Sequence, residues 1–185
     1  MKALIIEDET AAALNLKAIL KQAAPDIRVV DTLESVEESV DWLRANPQPD
    51  LLFMDIHLAD GDSFRIFDAV EVTAPVIFTT AYDRYALEAF KVNSIDYLLK
   101  PLNAADVQRA LDKTLEALQA VLPEADFFRA NRQFIVARRA VKEIAVWFGS
   151  RLSLSLVLET PERIVISKAR VPEFKAWLTS VQPAE

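Results

Sequence analysis

The sequence predicts an α/β fold: a five-stranded parallel, doubly wound sheet followed by a small, mainly-β C-terminal segment. Two observations carry this. Short apolar runs alternate with helically spaced segments through the first 120 residues, with short connections, the pattern of parallel strands joined by crossover helices. Past Pro123 the spacing changes to short alternating runs broken by turn residues, the pattern of an antiparallel meander.

In order, Ala3–Ile6 is a short apolar strand and Thr10–Gln22 has helical spacing. Ile27–Thr32 reads as a strand and Ser35–Arg44 as a helix. Asp50–Asp55 is the clearest strand, because four apolar residues, Leu51 to Met54, run without a break into a carboxylate. Such runs suit a strand buried on both faces. A helix is expected from about Ser63 to Val72, a strand over Pro75–Thr80 and a helix over Arg84–Val92. Ile95–Leu99 supplies the fifth strand, and Ala104 to about Val121 a long helix. In the C-terminal segment Glu143–Trp147, Arg151–Leu158 and Arg163–Ile166 read as strands. Gly149-Ser150 and Thr160-Pro161-Glu162 supply turns, and Val171–Thr179 reads as a helix with Pro172 in its first turn.

Composition narrows the function. There is no cysteine, which excludes disulfides, thiolate metal sites and cysteine nucleophiles. No apolar stretch approaches the roughly 20 residues that span a bilayer, and the N-terminus turns acidic within seven residues without a signal-peptide core. A cytoplasmic protein with no membrane partner is expected. Gly61 and Gly149 are the only glycines, so glycine-rich phosphate loops are excluded. Residues 1–122 carry 11 Lys+Arg against 21 Asp+Glu, a net of −10, and residues 123–185 carry 10 against 7, a net of +3. The change of sign divides the chain into two domains, 1–122 and 123–185, with different partners.

In an open parallel sheet, ligands bind at the carboxyl ends of the strands. Those ends carry Glu7-Asp8-Glu9, Asp55, Thr79-Thr80 and Lys100-Pro101. Neighbouring strands lie about 4.8 Å apart, so these side chains can converge. Clustered carboxylates repel, and a hard cation such as Mg²⁺ relieves that with oxygen ligands. A lysine can pair with an incoming phosphoryl group, and a threonine hydroxyl can hydrogen-bond it. This is equipment for moving a phosphoryl group onto a carboxylate.

Four motifs, LIIEDE (4–9), LLFMDIHLADG (51–61), VIFTTAY (76–82) and DYLLKP (96–101), resemble the receiver domain of two-component response regulators, whose fold is flavodoxin-like. The resemblance implies that Asp55 accepts phosphate from a sensor histidine kinase. It implies that Asp8, Asp55 and the backbone carbonyl of His57 hold Mg²⁺, with Glu7 assisting through water. Thr80 is implied as the switch hydroxyl, Tyr97 as the switch aromatic and Lys100 as the phosphate-pairing cation. A cis Lys100–Pro101 bond is common in the family. His57 is the one histidine, and its position matches the backbone ligand, not a phosphodonor. Homodimerisation on phosphorylation is expected through Arg84–Val92 and Ala104–Leu118.

FFRANRQFIVARRAVKEI (127–144) and IVISKARVPEFKAWL (164–178) resemble the middle and end of a LytTR DNA-binding domain. By that resemblance Asn131, Arg132, Lys168 and Arg170 lie on or near DNA-facing loops, where cations neutralise phosphates and arginine reads guanine. A LytTR domain has roughly a hundred residues, whereas only about 60 follow the last helix of the first domain here. The early strands are missing, so exposed strand edges and apolar surface at Ile144, Trp147, Leu154 and Leu156 are expected. The expected function is a response regulator, a switch and not an enzyme, that controls transcription through a partial LytTR module. The alternative is a phosphorylation-controlled dimerisation module without competent DNA binding. A phosphohydrolase is disfavoured, because such enzymes use a second acid two residues after the nucleophile, where this chain has His57.

Overall fold

A computed structural model describes residues 1–81, 94–131, 133–160 and 163–180. The expected helix over Arg84–Val92 lies outside the described residues, as do Arg132 and the Pro161-Glu162 part of one turn. The chain divides into two compact units, Met1–Thr114 and Leu115–Glu185.

The first unit runs β1 (Lys2–Ile6), α1 (Thr10–Ala23), β2 (Arg28–Leu33), α2 (Val36–Ala45), β3 (Leu51–Asp55), β4 (His57–Leu58), β5 (Gly61–Asp62), α3 (Arg65–Ala69), β6 (Val76–Thr80) and β7 (Ser94–Leu99), then enters α4 (Ala104–Val121). Five strands form a parallel sheet in the order β2-β1-β3-β6-β7. All five residues of β3 and of β6 are buried, as a central strand covered on both faces requires.

Alternation along each strand sends residues to opposite faces. Leu4, Ile6, Leu52, Met54, Val76 and Phe78 pack with residues of α2 and α3, and Ala3, Ile5, Leu51, Phe53 and Ile77 pack with α1 and α4. This is the expected doubly wound sheet. Helical spacing in α1 buries Ala13, Leu16, Ile19 and Leu20 on one stripe.

Two local details differ from expectation. A small hairpin, β4 paired with β5, follows β3 directly. The third helix then spans only Arg65–Ala69. The β-branched residues Val70, Val72 and Thr73 precede Pro75 and favour extended backbone, so Val70 already leaves the helix at φ −148°.

The second unit contains the end of α4, a hairpin of β8 (Phe127–Arg129) and β9 (Ile135–Ala137), and a three-stranded antiparallel sheet, β10 (Val141–Trp147), β11 (Arg151–Leu156) and β12 (Ile164–Ile166), followed by α5 (Val171–Thr179). Phe128, Val136, Leu152, Leu154, Ile164, Ile166 and Phe174 form its core. The expectation that Leu154 is exposed is corrected: it is 3% exposed, because β11 is the central strand and its apolar face packs in that core. Trp147 and Leu156, also expected to be exposed, are half-buried. Ile144 is exposed as expected, at 39%, and the largest exposure falls on Val146 of edge strand β10 at 82% and on Phe148 and Leu158 in the loops flanking β11, at 81% and 73%.

Candidate functional site

The sheet order reverses between β1 and β3: β1 leads by a crossover to β2 on one side, and β3 leads to β6 on the other. Ligands of open α/β sheets bind outside the strand carboxyl ends at such a point. Glu7 and Asp8 follow β1 and Asp55 ends β3. Their carboxylate oxygens lie within 4.8 Å of one another. The register sets Asp55 opposite Thr79 and Thr80 opposite Leu99, so Thr80 and Lys100 follow the same edge of the sheet. The Lys100 backbone N–H donates to the Thr80 carbonyl at 2.8 Å, and the Lys100–Pro101 bond is cis.

The Lys100 ammonium donates to Glu7 Oε1 at 2.7 Å and to Asp55 Oδ2 at 2.5 Å. Asp55 and Glu7 are buried, at 6% and 4% exposure. Burial pushes the Glu7 carboxyl up to about 7, with repulsion from Asp55 adding to it and Lys100 opposing it. Burial also disfavours the Lys100 charge, but the two carboxylates beside it hold its affinity for the proton above the ordinary value. One cation faces three carboxylates, so the cluster carries excess negative charge when all are ionised. Its donors are all carboxylate oxygens, the set that a hard divalent cation takes, and the residues fit Mg²⁺.

The His57 backbone N–H donates to Asp55 Oδ1 at 3.1 Å, which orients the carboxylate. The His57 ring turns away, with Nδ1 2.7 Å from Asp62 Oδ1 across the β4–β5 hairpin. Thr80 is fully buried, and Tyr97 is half-buried against the core on the α2–α3 side.

A neighbouring residue, Asp60, was not signalled by the sequence. Its carboxylate accepts the N–H groups of Val36 and Glu37 at 2.8 and 3.1 Å. It thereby caps the start of α2 from a different loop, beside the local cap Ser35, which accepts from the Glu38 N–H at 3.1 Å. Partial desolvation raises the Asp60 pKa, but the backbone donors and Arg65 outweigh it and bring the carboxyl below its ordinary value. Gly61 follows at φ 141°, where an added Cβ would lie 2.8 Å from Arg65 Nη1, so this turn needs glycine.

In the second unit Lys168 is exposed. Asn131 is held internally: its Oδ1 accepts from Gln133 and Phe134 N–H at 2.9 and 3.0 Å, and its Nδ2 donates to the Val165 carbonyl at 3.3 Å. Arg170 bonds both Glu173 carboxylate oxygens at 3.1 and 3.0 Å and the Arg129 carbonyl, and its guanidinium lies over the Phe128 ring. Arg138 closes the end of α5, donating to the Leu178 and Ser180 carbonyls at 3.1 and 2.7 Å.

Residues 3–112 match the family described as the response regulator receiver domain, and residues 102–179 match the LytTr DNA-binding domain. The chain is similar to the sensory transduction proteins LytT of Enterococcus faecalis and Bacillus subtilis, at 27% and 25% identity, over 96% of this chain and 99% of each relative. It is 34% identical to the transcriptional regulatory protein LytR of Staphylococcus aureus strain N315 over 61% of this chain and 46% of that protein. The Enterococcus alignment runs over 243 positions while the chain has 185 residues, so at least 58 positions (243 less 185) have no residue of this chain opposite them. Among solved structures, the response regulatory domain of mrkE from Klebsiella pneumoniae matches with a TM-score of 0.58 and 25% identity, over 65% of this chain and 99% of that one. A two-component response regulator from Clostridium difficile matches with a TM-score of 0.54 and 28% identity, over 64% of this chain and 98% of that one.

Proposed function

Because the chain belongs to the response regulators that join a receiver domain to a LytTR-type DNA-binding domain, we propose that a sensor histidine kinase phosphorylates Asp55 and that this controls transcription from the cytoplasm. The observation that carries the proposal is the Lys100 ammonium bridging Asp55 and Glu7 inside the carboxylate cluster at the strand ends.

An Asp55 oxygen attacks the phosphorus of the kinase phosphohistidine, the P–N bond breaks, and the imidazole nitrogen keeps the electron pair and takes up a proton. Asp8, Asp55 and the His57 carbonyl, with Glu7 through water, would hold Mg²⁺. When bound, this ion neutralises charge developing on the transferring phosphoryl group. The His57 N–H fixes the Asp55 carboxylate for attack. Lys100 pairs with the phosphoryl oxygens in place of its present carboxylate partners. Thr80 donates its hydroxyl to one of those oxygens, and the Tyr97 ring responds to the space that Thr80 leaves, a two-state element biased by local charge. The chain acts as a switch and turns over no external substrate.

The test is incubation with acetyl phosphate, read by intact mass. One phosphoryl group is expected with Mg²⁺ and none with EDTA. Labelling that ignores EDTA would contradict the site.

A second reading, a dimerisation module without competent DNA binding, is favoured by one observation. Asn131 and Arg170 spend their polar groups inside the second unit. A salt-dependent mobility-shift assay separates the two readings.

A further inference from the structure

We propose that β10 is a dimer interface that pairs antiparallel with β10 of a second copy, independently of phosphorylation. Among the described residues β10 pairs with β11 alone and forms the edge of its sheet. An edge strand presents unpaired N–H and C=O groups, which a further strand can satisfy. β10 is seven residues long and carries no proline. Its edge protections, Lys142 and an irregular register between Val141 and Glu143, are confined to its first three residues, which leaves Glu143–Trp147 regular and open to pairing.

The side chains along this edge extend the core outwards. The register places Val146 beside Leu152 and Ile166, and Ile144 beside Leu154 and Ile164. Exposure along the first row is 82%, 6% and 0%, and along the second 39%, 3% and 0%. The core face is therefore covered over β11 and β12 and open at β10. The Enterococcus relative's alignment has at least 58 positions without a residue of this chain (243 less 185), and those positions are not available here to cover this edge.

Charge selects a second copy as the occupant. Glu143 sits near one end of β10. At the other end is Trp147, with the Arg163 guanidinium 4.1 Å from its ring and Arg151 directly across the ladder. Antiparallel reversal brings unlike ends together. Centring the twofold axis on Ala145 sets Ile144 against the second copy's Val146. On the opposite face it sets Glu143 against the second copy's Trp147, beside its two arginines. Centring on Glu143 instead would oppose two carboxylates. One patch thus complements itself under twofold rotation, the condition for an isologous dimer.

The chain has no cysteine, which makes the register directly measurable. Ala145 is exposed, so Ala145→Cys leaves the fold intact. Under mild oxidation, without a phosphoryl donor and with EDTA, Ala145→Cys should give a disulfide-linked dimer, because the two Cβ atoms face each other at bonding separation. The exposed Lys142→Cys should not. By sedimentation, Val146→Lys should raise the dimer dissociation constant roughly tenfold or more, since symmetry counts each change twice. Glu143→Arg should weaken the dimer, and adding Arg163→Glu should restore it. A chain that stays monomeric under these conditions would assign the edge to another protein and overturn the proposal. So would a dimer in which Ala145→Cys cross-links no better than Lys142→Cys. Neither result bears on Asp55.

Discussion

Which carboxylate points where follows from strand alternation. Ala3 and Ile5 belong to the core on the α1–α4 side, and Glu7 continues their parity past the end of β1 into contact with Lys100. The motif residues were legible because they stand at strand ends, where a charge after an apolar run needs a partner. What the sequence did not tell was that Glu7 reaches Lys100 directly, because two adjacent acids look alike until the strand's phase is known. Asp8 is half-buried beside two buried carboxylates, so its charge is a burden without a cation. Asp8→Asn should abolish Mg²⁺ binding by titration calorimetry while leaving the circular dichroism spectrum unchanged, and should raise the melting temperature in metal-free buffer. Undiminished Mg²⁺ affinity in that variant would remove Asp8 from the proposed ligand set.

The elements were legible where one side of the chain decided their form. β3 is a five-residue buried run that no other element suits, and α2 starts at a readable serine cap. Asp60 was not legible, because its cap joins residues 24 positions apart. Nor was the short α3, whose length is set by the β4–β5 hairpin before it and the β-branched residues after it. Ser35→Ala should cost about 1 kcal/mol by chemical denaturation, the usual value of an N-cap. Asp60 has a folded pKa below its ordinary 3.8, so the unfolded chain binds the proton more readily. Its contribution is fully present above that value and is lost as pH falls through the folded pKa. Asp60→Asn should therefore be less stable than wild type at pH 7, with the gap closing below about pH 3.8. Parallel stability curves across that range would contradict the cap.

At the scale of the whole chain, the described residues form one core on each face of the parallel sheet and a third in the second unit, and the two halves of the sequence carry opposite net charge. The alternation of strands and helices made the first unit readable from sequence, whereas the second was readable only in part. The burial of Leu154 depends on which strand lies at the centre of the three-stranded sheet, and strand order is not written in local periodicity. Phe174 is fully buried and stacks edge-on to Phe128 at 5.3 Å. Phe174→Ala should destabilise the second unit by about 3–5 kcal/mol, seen as earlier loss of the Trp147 and Trp177 fluorescence transitions. The net of −10 over residues 1–122 against +3 over 123–185 (11 against 21 and 10 against 7 charged residues) opposes a DNA backbone. DNA binding by this chain should therefore stay in the non-specific range of roughly 10⁻⁴ to 10⁻⁶ M, with a shallow salt slope. Nanomolar, sequence-selective binding in a mobility-shift titration would contradict that. The central claim is chemical: a phosphoryl group forms an acyl phosphate on Asp55. Borohydride reduction of the acetyl-phosphate-treated chain, followed by peptide mass spectrometry, converts a phosphorylated aspartate to homoserine and marks its position. Homoserine at position 55 alone is the predicted result; homoserine at position 8, or an unreduced Asp55 in a labelled chain, would contradict it.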